Sequence, residues 1–364
     1  MDSDTLFMRR ALELAKRGEG LVEPNPMVGC VIVRNGTVSG EGFHAKFGGP
    51  HAEVEAIRAA DGDTIGATCY VTLEPCSHHG KTPPCTKAVL AAGFKRLVVA
   101  MRDPHPQVNG RGLQILREAG LEVIEGVLED EARSLNAPYL TRIEKNRPWI
   151  IAKWAMTLDG RLASRTGSSQ WISNAASREI VHRLRSRMDA ILIGSQTALR
   201  DDPLLTVRLS EGTRQPQRIV FDSKAQTPLD GQLVRTAKEV PVLIVVGPDT
   251  PRVTELEKAG CEILHADVRD YRERFERLFE HLVQRGITNL LVEGGGGLFG
   301  ALFDLRLIDE VHAFIAPKLI GGDTAVAPIG GIGLAAMPSA AKIDAPEICI
   351  VDGDVYMHGR VRYP

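Results

Sequence analysis

The sequence predicts an α/β protein of two domains, and three observations lead to this fold class. The chain has 364 residues, which is more than one domain with a single hydrophobic core usually contains, since a domain typically takes about 150 residues. Short apolar runs typical of strands alternate with amphipathic stretches typical of helices. Charged residues, Asn and Pro collect in the segment 144–148, directly before an apolar run. We therefore expect domains over residues 1–146 and 147–364.

The first domain is expected to open with a helix and to continue as a βαβ sheet. Leu6, Ala11, Leu12 and Ala15 recur at helical spacing before a glycine. The dipeptide Asn35-Gly36 predicts a tight hairpin between strands 28–33 and 37–43. Helices and strands then alternate, with helices expected over 51–60, 86–93 and 111–120 and strands over 67–75, 95–101 and 121–127.

The second domain shows the same alternation. Apolar strand-like runs occur at 149–156, 189–194, 218–222, 241–247, 261–266, 287–293 and 311–317. A stripe with spacing i, i+3, i+4, i+7 and i+8 predicts a helix with a core-facing side, formed by Phe275, Leu278, Phe279, Leu282 and Val283. Alternation in the segment 347–363 predicts antiparallel strands that close the sheet.

Composition and charge exclude several classes of protein. With 43% hydrophobic and 25% charged residues the chain is neither disordered nor fibrous. The net charge of −2, with no basic excess in either half, argues against a nucleic-acid partner. No apolar run approaches the ~20 residues of a membrane span, and the N-terminus lacks the layout of a signal peptide. We expect a cytoplasmic protein in which clustered cysteines bind metal rather than form disulfides.

The strongest chemical signal lies in the first domain and indicates a zinc site. His51 stands two residues before Glu53, and Cys76 precedes Cys85 by nine residues. One imidazole and two thiolates suit Zn²⁺ and leave a position for water, whose pKa the metal lowers to about 7. The positive ends of helices are expected to favour both thiolates. Glu53, at the first turn of a helix, is expected to move protons without ligating the metal, which indicates deamination.

A structural zinc site is the alternative. Zinc-dependent nucleobase deaminases carry the pattern H-x-E…P-C-x-x-C, whereas eight residues separate the two cysteines of this chain. Because structural zinc is normally held by four ligands, His78 or His79 from the intervening loop could complete such a site. A structural site gives no reason for Glu53, so we favour catalysis.

The second domain carries a glycine-rich turn and a set of polar strand ends. The glycines at 294–297 and 300 contain G-x-G-x-x-G between a strand and a helix, where backbone amides can bind a pyrophosphate. The acidic residue that NAD-binding folds place ~20 residues later is missing, which is compatible with NADPH. Four arginines (178, 183, 185 and 187) on one helix are either a solvated face or phosphate ligands.

Two sets of motifs resemble one family, the bifunctional riboflavin-biosynthesis deaminase/reductases. The segments PNPMVG, HAE and TLEPCSHHGKTPPC are similar to its deaminase half. The resemblance implies a cytidine-deaminase-like three-layer domain in which His51, Cys76 and Cys85 hold zinc and Glu53 shuttles protons. It also implies that Asn25 binds the pyrimidine, while Lys81, with His78 and His79, contacts a ribose phosphate.

The segments TLDGR, SSQWIS and DDPLLTVR, with the glycine-rich turn, resemble the reductase half of the same family, which is a dihydrofolate-reductase-like α/β domain. The NADPH contacts implied by the resemblance are Ala155, Trp171, Thr197, Asp201, Ser223, Gly295, Gly296, Gly297, Leu298, Phe299, Gly300 and Ala301. The implied substrate contacts are Ser169, Arg185, Leu205, Arg208 and Glu293. Lys153, Asp201 and water remain alternative proton donors.

The resemblance implies deamination of 2,5-diamino-6-(5-phosphoribosylamino)pyrimidin-4-one, followed by NADPH-dependent reduction of its ribosyl group. Its partner is then a small phosphoribosylaminopyrimidine, and an exposed sheet edge at the C-terminus predicts a homodimer through the reductase domain. Two other hypotheses remain. One is a deaminase of nucleosides or RNA whose second domain only binds substrate, and the other is a nucleotide-binding regulator in which zinc only stabilises the fold.

Overall fold

A computed structural model of the protein divides into two compact units, Met1–Asn146 and Arg147–Pro364. The structure describes residues 2–80, 83–209, 214–248 and 250–364. Each unit has its own sheet and its own hydrophobic core. None of the helices in these described ranges combines the length and the apolar character that a bilayer crossing requires.

The first unit alternates helices and strands. Its helices are α1 (Ser3–Ala15), α2 (Ala52–Ala59), α3 (Cys85–Ala91), α4 (Arg111–Glu118), α5 (Glu129–Leu135) and α6 (Ala137–Lys145). Its strands are β1 (Gly29–Arg34), β2 (Thr37–Phe43), β3 (Thr68–Leu73), β4 (Arg96–Met101) and β5 (Glu122–Glu125). The predicted hairpin joins β1 to β2, and Asn35 and Gly36 both adopt the positive φ that such a turn requires.

The sheet of the first unit has the order β2-β1-β3-β4-β5 over the described residues. Strand β1 is antiparallel to both neighbours, whereas β3, β4 and β5 are parallel. Successive side chains of a strand point to opposite faces, so Ile32 packs with α2, α3 and α4, while Val31 packs with α1, α5 and α6. The predicted three-layer architecture is confirmed.

Two details of the first unit differ from the prediction. Leu6 is exposed, and Met8 occupies the buried face of α1 instead, because Leu6 lies on the opposite side of the helical turn. The segment before the boundary, which had no predicted structure, forms α5 and α6. Leu140 anchors α6 in the core, although the helix ends in polar residues that are typical of a linker.

The second unit is also α/β. Its helices are α7 (Ala175–Ser186), α8 (Ser195–Asp201), α9 (Gln232–Arg235), α10 (Val253–Lys258), α11 (Tyr271–Gln284) and α12 (Gly296–Asp304). Its strands are β6 (Trp149–Thr157), β7 (Ala190–Gly194), β8 (Gln217–Phe221), β9 (Val242–Val246), β10 (Glu262–His265), β11 (Asn289–Val292), β12 (Glu310–Ala316), β13 (Lys342–Val351) and β14 (Asp354–Arg362).

Within the described ranges, the sheet of the second unit has the order β10-β9-β8-β7-β11-β6-β12-β14-β13. Strands β6 to β12 pair in parallel, and β14 is antiparallel to both β12 and β13, so the predicted closing antiparallel strands are confirmed. Helices α11 and α12 cover the main core, and the predicted stripe on α11 buries Phe275, Leu278, Phe279 and Leu282 there.

Candidate functional site

Three metal-binding side chains meet in the first unit. His51 Nδ1 lies 3.1 Å from Cys85 Sγ and 3.6 Å from Cys76 Sγ, and all donor atoms of the group lie within 4.8 Å of one another. His51 is the residue before the first turn of α2, Cys85 begins α3, and Cys76 follows β3 in a loop. The fold thus brings together the three residues whose spacing predicts a zinc site.

The two thiols differ in what stabilises them. The expectation that both cysteines lie at helix starts is wrong for Cys76, because the loop after β3 does not turn into a helix at that residue. The pKa of the Cys76 thiol is instead lowered by hydrogen bonds from the Cys85 thiol and from the Cys85 backbone N–H, whose nitrogen is 3.3 Å from Cys76 Sγ. Cys76 is therefore the sulfur that ionises first.

Glu53 lies beside this cluster without belonging to it. It is the second residue of α2 and is 3% exposed. Burial raises the pKa of its carboxyl, and the nearby His51 only partly opposes this effect. A carboxyl with a raised pKa beside a metal cluster holds a proton more readily than an exposed carboxyl, which suits a group that accepts and then donates protons.

His78 and His79, in the loop between Cys76 and Cys85, are not part of the metal-binding cluster. Among the described residues the group has three members, the number that is typical of catalytic rather than structural zinc. His78 instead stacks on His105, with ring centres 6.3 Å apart, and His79 is exposed. The geometry therefore gives no support to a site closed by a fourth histidine from this loop.

A cavity of about 280 Å³ adjoins the cluster. Asn25, the predicted pyrimidine contact, lines this cavity, and its amide Nδ2 lies 3.0 Å from His44 Nε2. His44 Nδ1 in turn contacts the carbonyl of Pro50 at 2.9 Å. Sequence reasoning missed His44, which stands alone in its segment without a motif. Lys81 lies outside the described residues.

Another part of the wall of this cavity comes from segments that carry no motif. Tyr139 on α6 donates a 2.8 Å hydrogen bond to Asp103, which also accepts from the backbone N–H of His105 at 2.9 Å. Arg142, one turn further along α6, lines the same wall. Burial raises the pKa of the Asp103 carboxyl. No local pattern could have found this wall, because its parts are adjacent only after folding.

The second unit contains a cleft of about 460 Å³ at the carboxyl ends of β7 and β11. Most of the residues predicted for cofactor or substrate binding in this unit line it, namely Ala155, Ser169, Trp171, Arg185, Thr197, Asp201, Leu205, Arg208, Glu293, Gly295 and Phe299. Ligands of open α/β sheets bind at this edge. The cleft is therefore the candidate binding site of the unit.

A nearly buried group of charges forms one side of the cleft. Arg185 donates to both oxygens of Glu293, from Nε at 2.5 Å and from Nη2 at 3.0 Å, and Lys153 Nζ lies 3.4 Å from the same carboxylate. Burial opposes ionisation of Glu293, but the two cations outweigh it and lower its pKa to about 2. Burial lowers the pKa of Lys153, and Glu293 counteracts this only in part.

The glycine-rich turn has two physical roles. Gly295 precedes α12, and its N–H donates to Thr197 Oγ1 at 3.0 Å. A Cβ on Gly296 or Gly300 would come within 2.5 Å of the backbone of the segment 327–331, so these glycines allow that segment to pack on α12. A Cβ on Gly297 would meet nothing within 4 Å.

Six predicted cofactor contacts do not line the cleft: Ser223, Gly296, Gly297, Leu298, Gly300 and Ala301. Leu298 and Ala301 pack in or against the core, whereas Ser223 follows β8 at the same edge of the sheet. Their proposed contacts with a cofactor stay predictions.

Hydrogen bonds and a cation–π contact join the segments that carry the predicted residues of the cleft. Ser169 donates to Asp201 at 3.4 Å, and the guanidinium of Arg178 lies 4.6 Å from the ring centre of the exposed Trp171. Lys318 Nζ donates to the carbonyl oxygens of Trp171 and Ile172 at 2.7 and 2.8 Å. Of the four arginines on or next to α7, Arg178 and Arg185 line the cleft, whereas Arg183 pairs with Glu179 at the surface.

A second group of potential metal ligands, Glu310, His312 and His358, lies on β12 and β14. Both ring nitrogens of His312 are engaged within the protein, Nε2 with Glu310 at 2.9 Å and Nδ1 with the hydroxyl of Tyr356 at 2.7 Å. We interpret this group as a hydrogen-bonded network of the sheet.

Two family models match the chain. Residues 1–101 match the cytidine and deoxycytidylate deaminase zinc-binding region, and residues 148–355 match the RibD C-terminal domain. The first match contains the cluster of His51, Cys76 and Cys85, and the second contains the cleft of the second unit, a domain that implies a nicotinamide dinucleotide cofactor.

Relatives resemble the chain over nearly its whole length. The riboflavin biosynthesis protein RibD of Actinobacillus pleuropneumoniae is 42% identical over 98% of this chain and 94% of that protein. RibD of Escherichia coli K12 is 42% identical over 98% of each chain.

Solved structures agree with these relatives. RibD of Acinetobacter baumannii superposes with a TM-score of 0.87 at 36% identity, with 99% of both chains covered. The diaminohydroxyphosphoribosylaminopyrimidine deaminase/5-amino-6-(5-phosphoribosylamino)uracil reductase of Thermotoga maritima superposes with a TM-score of 0.85, at the same identity and coverage. The two units, their sites and these relatives together lead to one conclusion: the chain belongs to the RibD family of bifunctional riboflavin biosynthesis deaminase/reductases.

Proposed function

We propose that the first unit deaminates 2,5-diamino-6-(5-phosphoribosylamino)pyrimidin-4-one and that the second unit reduces the ribosyl group of the product with NADPH. The observation that carries the proposal is the cluster of His51, Cys76 and Cys85 with the buried Glu53 beside it. The activities named for the Thermotoga maritima relative support the same pair of reactions.

The donor set of the first unit fits one zinc ion. His51, Cys76 and Cys85 would hold it, since one imidazole nitrogen and two sulfurs within 4.8 Å of one another match the chemistry of zinc. When bound, zinc supplies Lewis-acid activation of a water molecule. The lowered pKa of Cys76 favours the thiolate that metal binding needs.

Glu53 is the proton carrier of the deamination. Water adds to the ring carbon that bears the amino group, and ammonia leaves as a carbonyl forms. Glu53 takes one proton from the water and passes it to the ring nitrogen. It then takes the second proton, from the hydroxyl now on the ring carbon, and passes it to the leaving amine as the carbonyl forms. Its burial supports this role, because a raised pKa lets the carboxyl hold the proton between the two transfers.

Asn25 and the loop after Cys76 bind the substrate of the first unit. His44 contacts the amide of Asn25, so that the amide is fixed in orientation toward the pyrimidine. Lys81 and His78, with His79, contact the ribose phosphate, for which a cation and ring N–H donors are suited. Asp103 and Tyr139, which are hydrogen-bonded to each other, form part of the wall around the substrate.

The cleft of the second unit holds NADPH and the deaminated substrate. The amides at the start of α12 and the open space at Gly297 fit a pyrophosphate, and Ala155, Trp171, Thr197, Asp201 and Ser223 supply further contacts. When bound, the reduced nicotinamide supplies a hydride. Substrate contacts come from Ser169, Arg185, Leu205, Arg208 and Glu293.

Lys153 supplies the proton of the reduction. Reduction at C1 of the ribose would break the bond between C1 and the ring oxygen, and that oxygen would take a proton. Lys153 lines the cleft and is held by Glu293, and burial lowers the pKa of its amine, which eases release of the proton. Asp201 lies in the same cleft but serves as an acceptor for Ser169.

The proposed partner of the chain is a second copy, bound through the second unit. β13 forms the edge of the sheet, and its side chains Ile348 and Ile350 are 62% and 69% exposed. An edge strand with apolar side chains favours pairing with another chain. We also propose a cytoplasmic location, because a reducing compartment keeps the thiols of Cys76 and Cys85 available for metal binding.

The function is tested with the purified full chain and the diaminopyrimidine substrate. We expect ammonia release that requires zinc, followed by NADPH oxidation that requires the deaminated product. Ammonia release without any NADPH oxidation would favour a single-function deaminase, and the absence of both would contradict the proposal.

A further inference from the structure

A buried carboxylate of the first unit carries none of the proton transfers described above. Glu74 directly follows β3, is 3% exposed and lines the cavity beside the metal cluster. Burying a carboxylate is costly unless its oxygens are hydrogen-bonded. All four hydrogen bonds that the described residues donate to Glu74 come from backbone N–H groups rather than from a cation. Its carboxylate therefore fixes the backbone of another segment.

The two oxygens of Glu74 bind different parts of the chain between β4 and α4. Oε2 accepts from the backbone N–H of Gly110 at 2.9 Å and from that of Asp103 at 3.4 Å. Oε1 accepts from the N–H of Gly112 at 2.9 Å, in the first turn of α4. The residues 103–110, which we call the wall segment, are thus held at both ends by one carboxylate oxygen.

Glu74 also caps α4 from outside the helix. The first N–H groups of a helix have no partner within it, and the residue before α4 is Gly110, which has no side chain to accept from them. Oε1 of Glu74 accepts from Gly112 and, at 3.4 Å, from Leu113. Only a glycine allows this approach, since a Cβ on Gly112 would lie 2.2 Å from the carbonyl oxygen of Pro75. The start of α4 therefore lies directly against the residues that follow β3.

These contacts join the wall segment to the metal cluster. The wall segment contributes four side chains to the lining of the cavity: Asp103, His105, Gln107 and Val108. Pro75, whose ring fixes its φ, connects Glu74 to Cys76 of the cluster. A shift of the Glu74 carboxylate would therefore change the distance between the wall segment and the cluster. A pyrimidine bound in this cavity beside the metal has to fit that distance, so its affinity depends on it.

We propose that Glu74 is a positioning residue for the deamination, which sets the wall segment against the metal cluster and thereby determines how tightly the pyrimidine substrate binds. Glu74 exchanges no proton with the substrate and acts through the backbone that it holds. A glutamine at this position would present an NH₂ group where one carboxylate oxygen stood, which leaves two of the four backbone N–H groups without an acceptor. The inference rests on the proposed deamination, to which it adds a residue that controls substrate binding.

The test is steady-state ammonia release by the full chain with the diaminopyrimidine substrate, together with zinc content by mass spectrometry. Glu74→Gln should keep about one zinc per chain, because the three metal ligands are unchanged. Its KM should rise by about tenfold or more, since hydrogen bonds to a charged group are worth roughly a tenfold to hundredfold change in affinity. Its kcat should change by less than about threefold, whereas partial unfolding alone would lower kcat and leave KM unchanged. Glu118→Gln, at an exposed acid that ends α4, is the matched control and should change neither constant.

An unchanged KM in zinc-loaded Glu74→Gln would overturn the inference. If that variant fails to fold or loses its zinc, Glu74→Asp takes its place: it keeps the charge but is one methylene shorter, so KM should rise by at least about threefold, and an unchanged KM would overturn the inference. Hydrogen exchange of the wild-type protein tests the contact without a variant. The N–H groups of Gly110 and Gly112 have no partner within α4, so slow exchange at both is expected, and exchange at the rate of an unstructured peptide would overturn the inference. A wild-type protein that releases no ammonia would instead contradict the proposed deamination itself.

Discussion

His51 Nδ1 and Cys85 Sγ lie 3.1 Å apart although 34 residues separate them in the chain. The start of α2 and the start of α3 hold them there, and Cys76 completes the group from the loop after β3. Because each residue comes from a different segment, the metal site depends on the folded first unit rather than on any one motif.

The first prediction concerns metal content. Cys85→Ser removes one of three donors, and a hydroxyl is a much poorer zinc ligand than a thiolate. We expect zinc, measured by mass spectrometry of the purified protein, to fall from about one per chain to a small fraction. Cys349→Ser, at an exposed cysteine of β13, should keep full zinc. Full zinc in Cys85→Ser would contradict the assignment of the site.

The second prediction concerns the buried pair of Glu293 and Arg185. Glu293→Gln leaves the charges of Arg185 and Lys153 without a carboxylate, and removing one partner of a buried ion pair is expected to destabilise the protein by about 3 kcal/mol. Urea denaturation measures the loss. Glu179→Gln, which breaks the exposed pair with Arg183, should cost less than about 0.5 kcal/mol. Equal effects of the two variants would refute the energetic difference between these pairs.

The third prediction concerns the pH dependence of the reduction. Only the protonated amine of Lys153 can donate, so the rate should be full below its pKa and should fall as the pH rises through it. Burial places this pKa below the ordinary 10.5 of lysine. The alkaline limb should therefore appear below pH 10.5 in a pH–rate profile of NADPH oxidation. In Lys153→Arg, whose guanidinium stays protonated, the limb should vanish at a lower overall rate. An identical limb in both proteins would exclude Lys153 as its source.

The fourth prediction concerns the oligomer. An acidic side chain on the exposed face of β13 should prevent the pairing of two copies, so Ile348→Asp combined with Ile350→Asp should give a monomer in sedimentation experiments. Ile332→Asp, at an exposed isoleucine in the loop after β12, should leave the dimer intact. A wild-type protein that is already monomeric would rule the proposed interface out.

Local patterns predicted the fold and the residues of the metal cluster well. Asn35-Gly36 strongly favours a tight hairpin turn, and both residues adopt the positive φ of that turn. His51 and Glu53 can converge only at the first turn of a helix, which is where they lie in α2. The helix α6 was missed because its polar end is typical of a linker, and only packing of Leu140 against the core reveals it.

The other parts of the sites depend on contacts between distant segments. The sequence could not distinguish Arg185 from Arg183 on the same helix, because their different roles come from Glu293, 108 residues away from Arg185. His44 joins Asn25 only in the folded unit, and Glu74 meets Gly110 across 36 residues. Such pairings leave no periodic or local signal in a single sequence.

The central claim is that Glu53 moves protons beside a metal that it does not bind, and Glu53→Gln tests it most directly. The account predicts that this variant keeps its zinc and still oxidises NADPH with the deaminated intermediate, while ammonia release falls by about 10²- to 10⁴-fold. Ammonia release at the wild-type rate, with zinc retained, would contradict the account.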